Sequence, residues 1–157
     1  DLVRSRGLGD VYKRQLLKRA IGKGAYVWQS VWESVAYDFP PVQLSVDGVT
    51  HQAASVVVSK GRLYGGPYLL APQAQPGQPG FQVVLFEKPG TLPALLSGAA
   101  LPLGLLPRCP GVRVLAGSHV EFSAPNGRIS TQADGDTLPA LPQGVVSAQA
   151  PISLIVG

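Results

Sequence analysis

Cysteine is nearly absent from the 157 residues: Cys109 stands alone, so no disulfide can form within them and nothing points to a secreted, disulfide-stapled scaffold. A reducing compartment is the default. Followed by Pro110, Cys109 reads as an incidental buried or loop thiol rather than a nucleophile. Histidine is almost as scarce, and neither His51 nor His119 has a second histidine or cysteine at the spacing of a zinc site. Both read as polar positions of strands. Long hydrophobic runs are missing too. The most apolar stretch, residues 92–106, is broken by Pro93 and Pro102 and is too short to span a bilayer; it reads as a buried, kinked helix. No secretory signal is visible. The glycine-rich run from Lys60 to Pro67 lacks the lysine-serine/threonine ending and the following helix of a phosphate loop, so it reads as structural. Nucleophile elbow, dinucleotide fingerprint and internal repeat are also missing.

What is present is glycine, proline and short apolar runs. Glycine (19) and proline (15) are spread between those runs as punctuation, which suits many short strands in one domain better than disorder. The formal charge of +4 invites a nucleic-acid reading, but the cations crowd the first fifteen residues. Residues 5–15, from Ser5 to Gln15, resemble the in-frame translation of a transposon-type sequencing adapter, a segment with no fold logic. Without residues 1–15 the chain loses Arg4, Arg6, Lys13, Arg14, Asp1 and Asp10, leaving nine cations against seven acids. These make no stripe, and nucleic-acid binding falls away. The expectation is a non-native segment over 1–15, a folded domain over 16–157, and a natural protein that begins further upstream. A genuine basic arm is the alternative.

Across residues 16–37 the apolar positions Leu17, Ile21, Val27, Trp28, Val31, Trp32 and Val35 recur at spacings of three and four, which predicts one amphipathic helix ended by Phe39-Pro40-Pro41. Gly22 and Gly24 weaken its first half. The tryptophan pair reads first as core packing, with a membrane or ligand platform as the other reading. Alternating residues on either side of Asp47-Gly48 predict a hairpin. Ser55-Val56-Val57-Val58-Ser59 reads as a buried strand. Residues 73–80 read as a polar connector, and Phe81 to Glu87 as a strong strand. Further strands are expected at Val112 to Leu115, at His119 to Ser123, on both sides of Asp134-Gly135, and at Ile152 to Val156. The fold class is therefore mainly β: an antiparallel β-sandwich or partly closed barrel, with an N-terminal amphipathic helix and one further short apolar helix.

By elimination the residues left for chemistry are Asp134 and Asp136, two carboxylates on one tight hairpin, able in principle to take a proton from a substrate hydroxyl. A solvated hairpin turn is the plain alternative. The order of Leu17-Lys18-Arg19-Ala20-Ile21-Gly22-Lys23-Gly24-Ala25-Tyr26, Val57-Val58-Ser59-Lys60-Gly61-Arg62-Leu63-Tyr64-Gly65-Gly66, Leu70-Ala71-Pro72-Gln73-Ala74 and Gln132-Ala133-Asp134-Gly135-Asp136 resembles the C-terminal domain of the diacylglycerol kinase and sphingosine kinase-like lipid kinases.

That resemblance implies the substrate-side β-sandwich domain of an ATP-dependent lipid kinase, whose nucleotide domain carries a Gly-Gly-Asp-Gly-Thr motif that this chain lacks. ATP and Mg²⁺ are expected on that other domain, a lipid as substrate, and the fragment alone inactive. Asp136 stands at the third position of the family's Asp-Gly-Glu motif, which implies the general base, with Asp134 supporting the turn. Two positions depart from the family: Ser59 replaces an asparagine common in the strand-end segment, and Pro79-Gly80 replaces an Asp-Gly whose aspartate helps hold a structural Mg²⁺. Proline offers no carboxylate, so no metal site is carried over. The implied location is cytoplasmic and peripheral to the membrane, and a homodimer stays open. The competing reading is a non-catalytic β-sandwich module acting at a membrane surface through Trp28, Trp32 and residues 92–106.

Overall fold

The computed structural model describes residues 40–149 apart from 126 and 135. The chain divides after residue 37, and the described residues belong to the second of its two units. The helix expected over 16–37, both tryptophans and the strand expected at 152–156 lie outside the described residues.

Val42–Val46 (β1) and Val49–Ala53 (β2) form the expected hairpin, with Val46 opposite Val49. Asp47 (φ 47°) and Gly48 (φ 86°) both take positive φ, as a primed two-residue turn demands. β1 buries Val42, Leu44 and Val46 and turns Gln43 outward, the period-two pattern of a half-buried strand. It also pairs with His119–Ser123 (β8), which pairs in turn with Gln143–Ser147 (β11), giving a four-stranded antiparallel sheet in the order β11-β8-β1-β2.

A second sheet has the order β3-β6-β7, built from Ser55–Ser59 (β3), Phe81–Phe86 (β6) and Val112–Gly117 (β7). Ala54 alone separates β2 from β3, and Ser118 alone separates β7 from β8. At both points the chain bends out of one sheet into the other, the corner device of sandwiches. Between the sheets lies the larger core, with Leu44, Val46 and Val120 facing Phe81, Val83 and Leu85. A second cluster covers the opposite face of β6, where Val84 packs with Leu70, Ala71, Ala74 and Leu106. The central strand is thus buried on both faces, which is why it reads as a continuous apolar run rather than an alternation. Complete burial of Val83, Val84 and Leu85 removes roughly 1.5–3 kcal/mol of unfavourable hydration per side chain.

β3 corrects the sequence reading. Its valines are only half-buried, because among the described residues β3 is an edge strand paired with β6 alone. Within the glycine-rich run, Leu63–Tyr64 (β4) pairs with Tyr68–Leu69 (β5) in a small hairpin. The apolar segment 92–106 is a second correction. Thr91–Ala100 forms a helix (α1), Pro93 falls in its first turn where a proline breaks nothing, and the helix ends before Pro102. Only Ala100 of its residues is buried; Leu92, Leu96 and Leu103 are 60–70% exposed. A 3₁₀ turn, Leu106–Arg108, follows and inserts Leu106 into the second cluster.

Beyond β8 and β11 the same two stretches of chain continue as Ile129–Ala133 (β9) and Asp136–Leu141 (β10), a two-stranded arm with Ala133 opposite Asp136. Its register shifts between Leu138 and Leu141. Pro139 lies in that irregularity, where its missing N–H costs no ladder bond. The sheets are open and stacked, so the architecture is a sandwich and not a closed barrel.

Candidate functional site

Asp134 occupies the turn at the end of the β9-β10 arm with φ 50°, and Asp136 is the first residue of β10. Both are exposed, and neither carboxylate has a hydrogen bond or ion pair with another described residue. The arm is stiffened by its own side chains: Arg128 Nε donates to the Ala140 carbonyl at 2.8 Å and Thr131 Oγ1 to the Pro139 carbonyl at 2.8 Å. The geometry presents two free carboxylates on a braced projection, available to groups from outside the described residues.

The second feature is an apolar groove of about 300 Å³ beside α1. One wall is helical, with Pro93, Ala94, Ser97, Gly98 and Leu101 at helix-face spacing. Val57 of β3 and Phe86 of β6 line it from the sheet, with Tyr64 of β4 and Leu70, the residue after β5. Lys88 is the one charged lining residue among the described residues, with an alkyl stem lying over Gly111: a Cβ there would meet Lys88 Cγ at 2.7 Å. Gly111 (φ 88°) thus supplies both a backbone conformation and the room for that stem. The volume falls at the lower end for small-molecule sites, and the lining suits a narrow hydrocarbon chain. Neither Asp134 nor Asp136 lines this groove.

A shallower cavity of about 540 Å³ lies on the four-stranded sheet, bordered by polar residues such as Gln43, Ser45, Thr50, Glu121 and Gln143. Near it, His119 Nδ1 is 2.9 Å from Ser147 Oγ and its Nε2 is 3.2 Å from Glu121 Oε1, all on exposed side chains. His51 lies in β2, opposite Leu44.

The strongest polar constellation sits at the β7-β8 corner. The Asp47 carboxylate accepts from Ser118 Oγ (2.9 Å), from the Ser118 backbone N–H (3.1 Å) and from the His119 N–H (2.8 Å). The Ser118 hydroxyl, then the two backbone N–H groups, hold this carboxyl below the ordinary carboxylate pKa. Asp47 is therefore more than a hairpin residue: it ties the β1-β2 turn to the corner where the chain changes sheets. Local pattern hides this role, because the partner is 71 residues away.

Ser59 closes β3 by donating from Oγ to the Gly61 carbonyl at 2.9 Å, a local turn contact. Beside Pro79, the Lys60 ammonium donates to the Gln78 carbonyl at 2.6 Å. That loop is supplied with a cation by a side chain and offers no carboxylate, so its residues do not fit a structural metal. Among the described residues no three His, Cys, Asp or Glu side chains cluster as metal ligands. Cys109 is half-buried and its thiol faces the Leu105 carbonyl at 3.7 Å. Among the described residues no helix is long and apolar enough to cross a membrane.

The family model for the YegS C-terminal NAD kinase beta sandwich-like domain matches residues 12–156. No curated protein matches the chain. Two solved structures from Bacillus anthracis str. Sterne, each named as "a putative diacylglycerol kinase", superpose with TM-scores of 0.54 at 15% identity over 68% of this chain. At that identity the likeness is one of fold. The chain spans 34% and 36% of the length of those two proteins, about a third.

Proposed function

The chain belongs to the YegS C-terminal NAD kinase beta sandwich-like family, and from that premise we propose that it is the substrate-side domain of an ATP-dependent lipid kinase. The observation that carries the reading is the apolar groove beside α1, a channel suited to hydrocarbon in a chain of this family. The kinase names of the two structures of like fold support it.

In this reading the acyl chain of the lipid lies along Val57, Leu70, Phe86 and Leu101, while its hydroxyl is handed to a second domain that binds ATP. Asp136 accepts the hydroxyl proton as the lipid oxygen bonds to the γ-phosphorus and the bond to the bridging β-γ oxygen breaks, with ADP leaving. A carboxylate that is exposed and unpaired among the described residues suits a half-site completed by another domain. Phosphoryl transfer depends chiefly on positioning and charge neutralisation, so nucleotide and Mg²⁺ would be held by that other domain, and this one alone is inactive. Such an enzyme would work in the cytoplasm, where ATP is supplied, and meet its substrate at a bilayer surface.

The test is phosphate transfer from radiolabelled ATP by the two-domain parent, offered diacylglycerol, a sphingoid base and NAD as competing acceptors. Label in a lipid product supports the proposal. Label confined to NAD, or no transfer to any acceptor while ATP binds, rejects it.

A further inference from the structure

Of the ten large hydrophobic side chains most exposed among the described residues, seven belong to β4, α1 and the turn that follows α1: Leu63, Tyr64, Leu92, Leu95, Leu96, Leu103 and Leu105. Leu92 and Leu96 lie one helical turn apart, directly beside the stripe of α1 that lines the groove. The opposite rim carries Tyr64. A concentration of exposed leucine on α1, the turn after it and β4, elements that border or adjoin the groove, is unlike the scattered exposure normal for a soluble surface.

Charge around it is one-sided. Between residues 48 and 120 there are five cations and a single acid, Glu87. That acid is engaged by Arg113 at 2.9 Å. Arg62, Lys88 and Arg108 are exposed and have no ion pair among the described residues. The other described acids, Asp47, Glu121, Asp134 and Asp136, belong to the four-stranded sheet, its turn and the arm.

We propose that α1, its following turn and β4 form an insertion surface for an anionic lipid bilayer, with leucines entering the acyl boundary and Arg62, Lys88 and Arg108 at headgroup level. Partial insertion of leucine and tyrosine with flanking cations is how a peripheral protein gains bilayer affinity without crossing it. A second copy of the chain fits worse, since a two-fold interface would set this cationic rim against itself. The proposal deepens the lipid-kinase reading by placing the groove at the surface where its substrate resides, and it rests on that reading for purpose. Vesicle binding and phosphate transfer are measured separately, so each can fail alone.

The experiment is co-sedimentation of the whole chain with phosphatidylcholine vesicles, with and without phosphatidylglycerol. Vesicles containing phosphatidylglycerol should bind it, less so as salt is raised. Leu92→Ser, Leu96→Ser and Leu103→Ser together should weaken binding at least roughly a hundredfold, with the far-ultraviolet circular dichroism spectrum unchanged because these side chains are exposed. Arg62→Gln with Arg108→Gln should lower binding to the anionic vesicles by about tenfold or more, leaving the phosphatidylcholine result unchanged. Wild-type binding that ignores phosphatidylglycerol, or a triple variant that binds like wild type, overturns the proposal. So does a dimer by analytical ultracentrifugation that dissociates in the triple variant, since a second copy would then cover the patch.

Discussion

Gly98 separates the stability of this fold from the use of its groove. It lies in α1, lines the groove, and a Cβ built on it meets no atom within 4 Å. Glycine inside a helix costs about 0.7 kcal/mol relative to leucine, so Gly98→Leu should stabilise the domain by that amount, a rise of about 3–5 °C in Tm. The same side chain would place four carbons where the lipid chain is proposed to run. Displacing about four methylenes at roughly 0.8 kcal/mol each removes about 3 kcal/mol of binding, or roughly 200-fold. The assay is kcat/KM of the two-domain enzyme on long-chain and short-chain acceptors, with thermal unfolding of the same variant. A long-chain loss of that order, with short-chain turnover retained and Tm raised, is the expected outcome. Unchanged kcat/KM for the long chain in a stabilised variant would refute the groove as the chain site.

Other consequences concern the core and the corner. Leu85→Ala, at a fully buried position between the sheets, should cost about 2–5 kcal/mol in urea unfolding, whereas Leu96→Ser on exposed α1 should stay within about 0.5 kcal/mol of wild type. At the corner, Asp47 has a pKa lowered from the ordinary 3.8. The stability it contributes is therefore complete above the unfolded-state pKa and is lost as pH falls through the lower folded-state value. Asp47→Asn should accordingly show a lower urea midpoint than wild type at neutral pH, the two curves converging below pH 3.8; a gap constant across that range would contradict the carboxylate's role.

Local chemistry announces the parts of this fold that depend on neighbours in sequence. Asp47-Gly48 and Asp134-Gly135 mark their hairpins because only residues tolerant of positive φ can occupy such turns, and Phe81 to Phe86 mark β6 through β-branched and aromatic content. What depends on distant partners is hidden. Residues 92–106 carry the composition of a buried helix, and nothing in that composition says whether another element covers the leucines; in the described residues none does. The valines of β3 read as fully buried because edge and centre strands share a composition. β11 is masked in the sequence because Gly144 and the adjacent Val145-Val146 pair disrupt the alternation. Its glycine makes room for the Phe122 ring, which a Cβ at 144 would force to shift. The site divides the same way. The acids at 134 and 136 are visible in the sequence, while the groove is a product of tertiary packing among α1, β3, β4 and β6.

The base for phosphorylating a lipid hydroxyl is what this domain is proposed to supply, and Asp136→Asn in the two-domain enzyme removes it. Asp136 is exposed and has no partner among the described residues, so the substitution should leave Tm and ATP binding unaltered. Lipid phosphorylation should fall by about 10²–10⁴-fold, the usual contribution of a positioned general base. Wild-type turnover in the Asp136→Asn enzyme would mean that Asp136 is not the base.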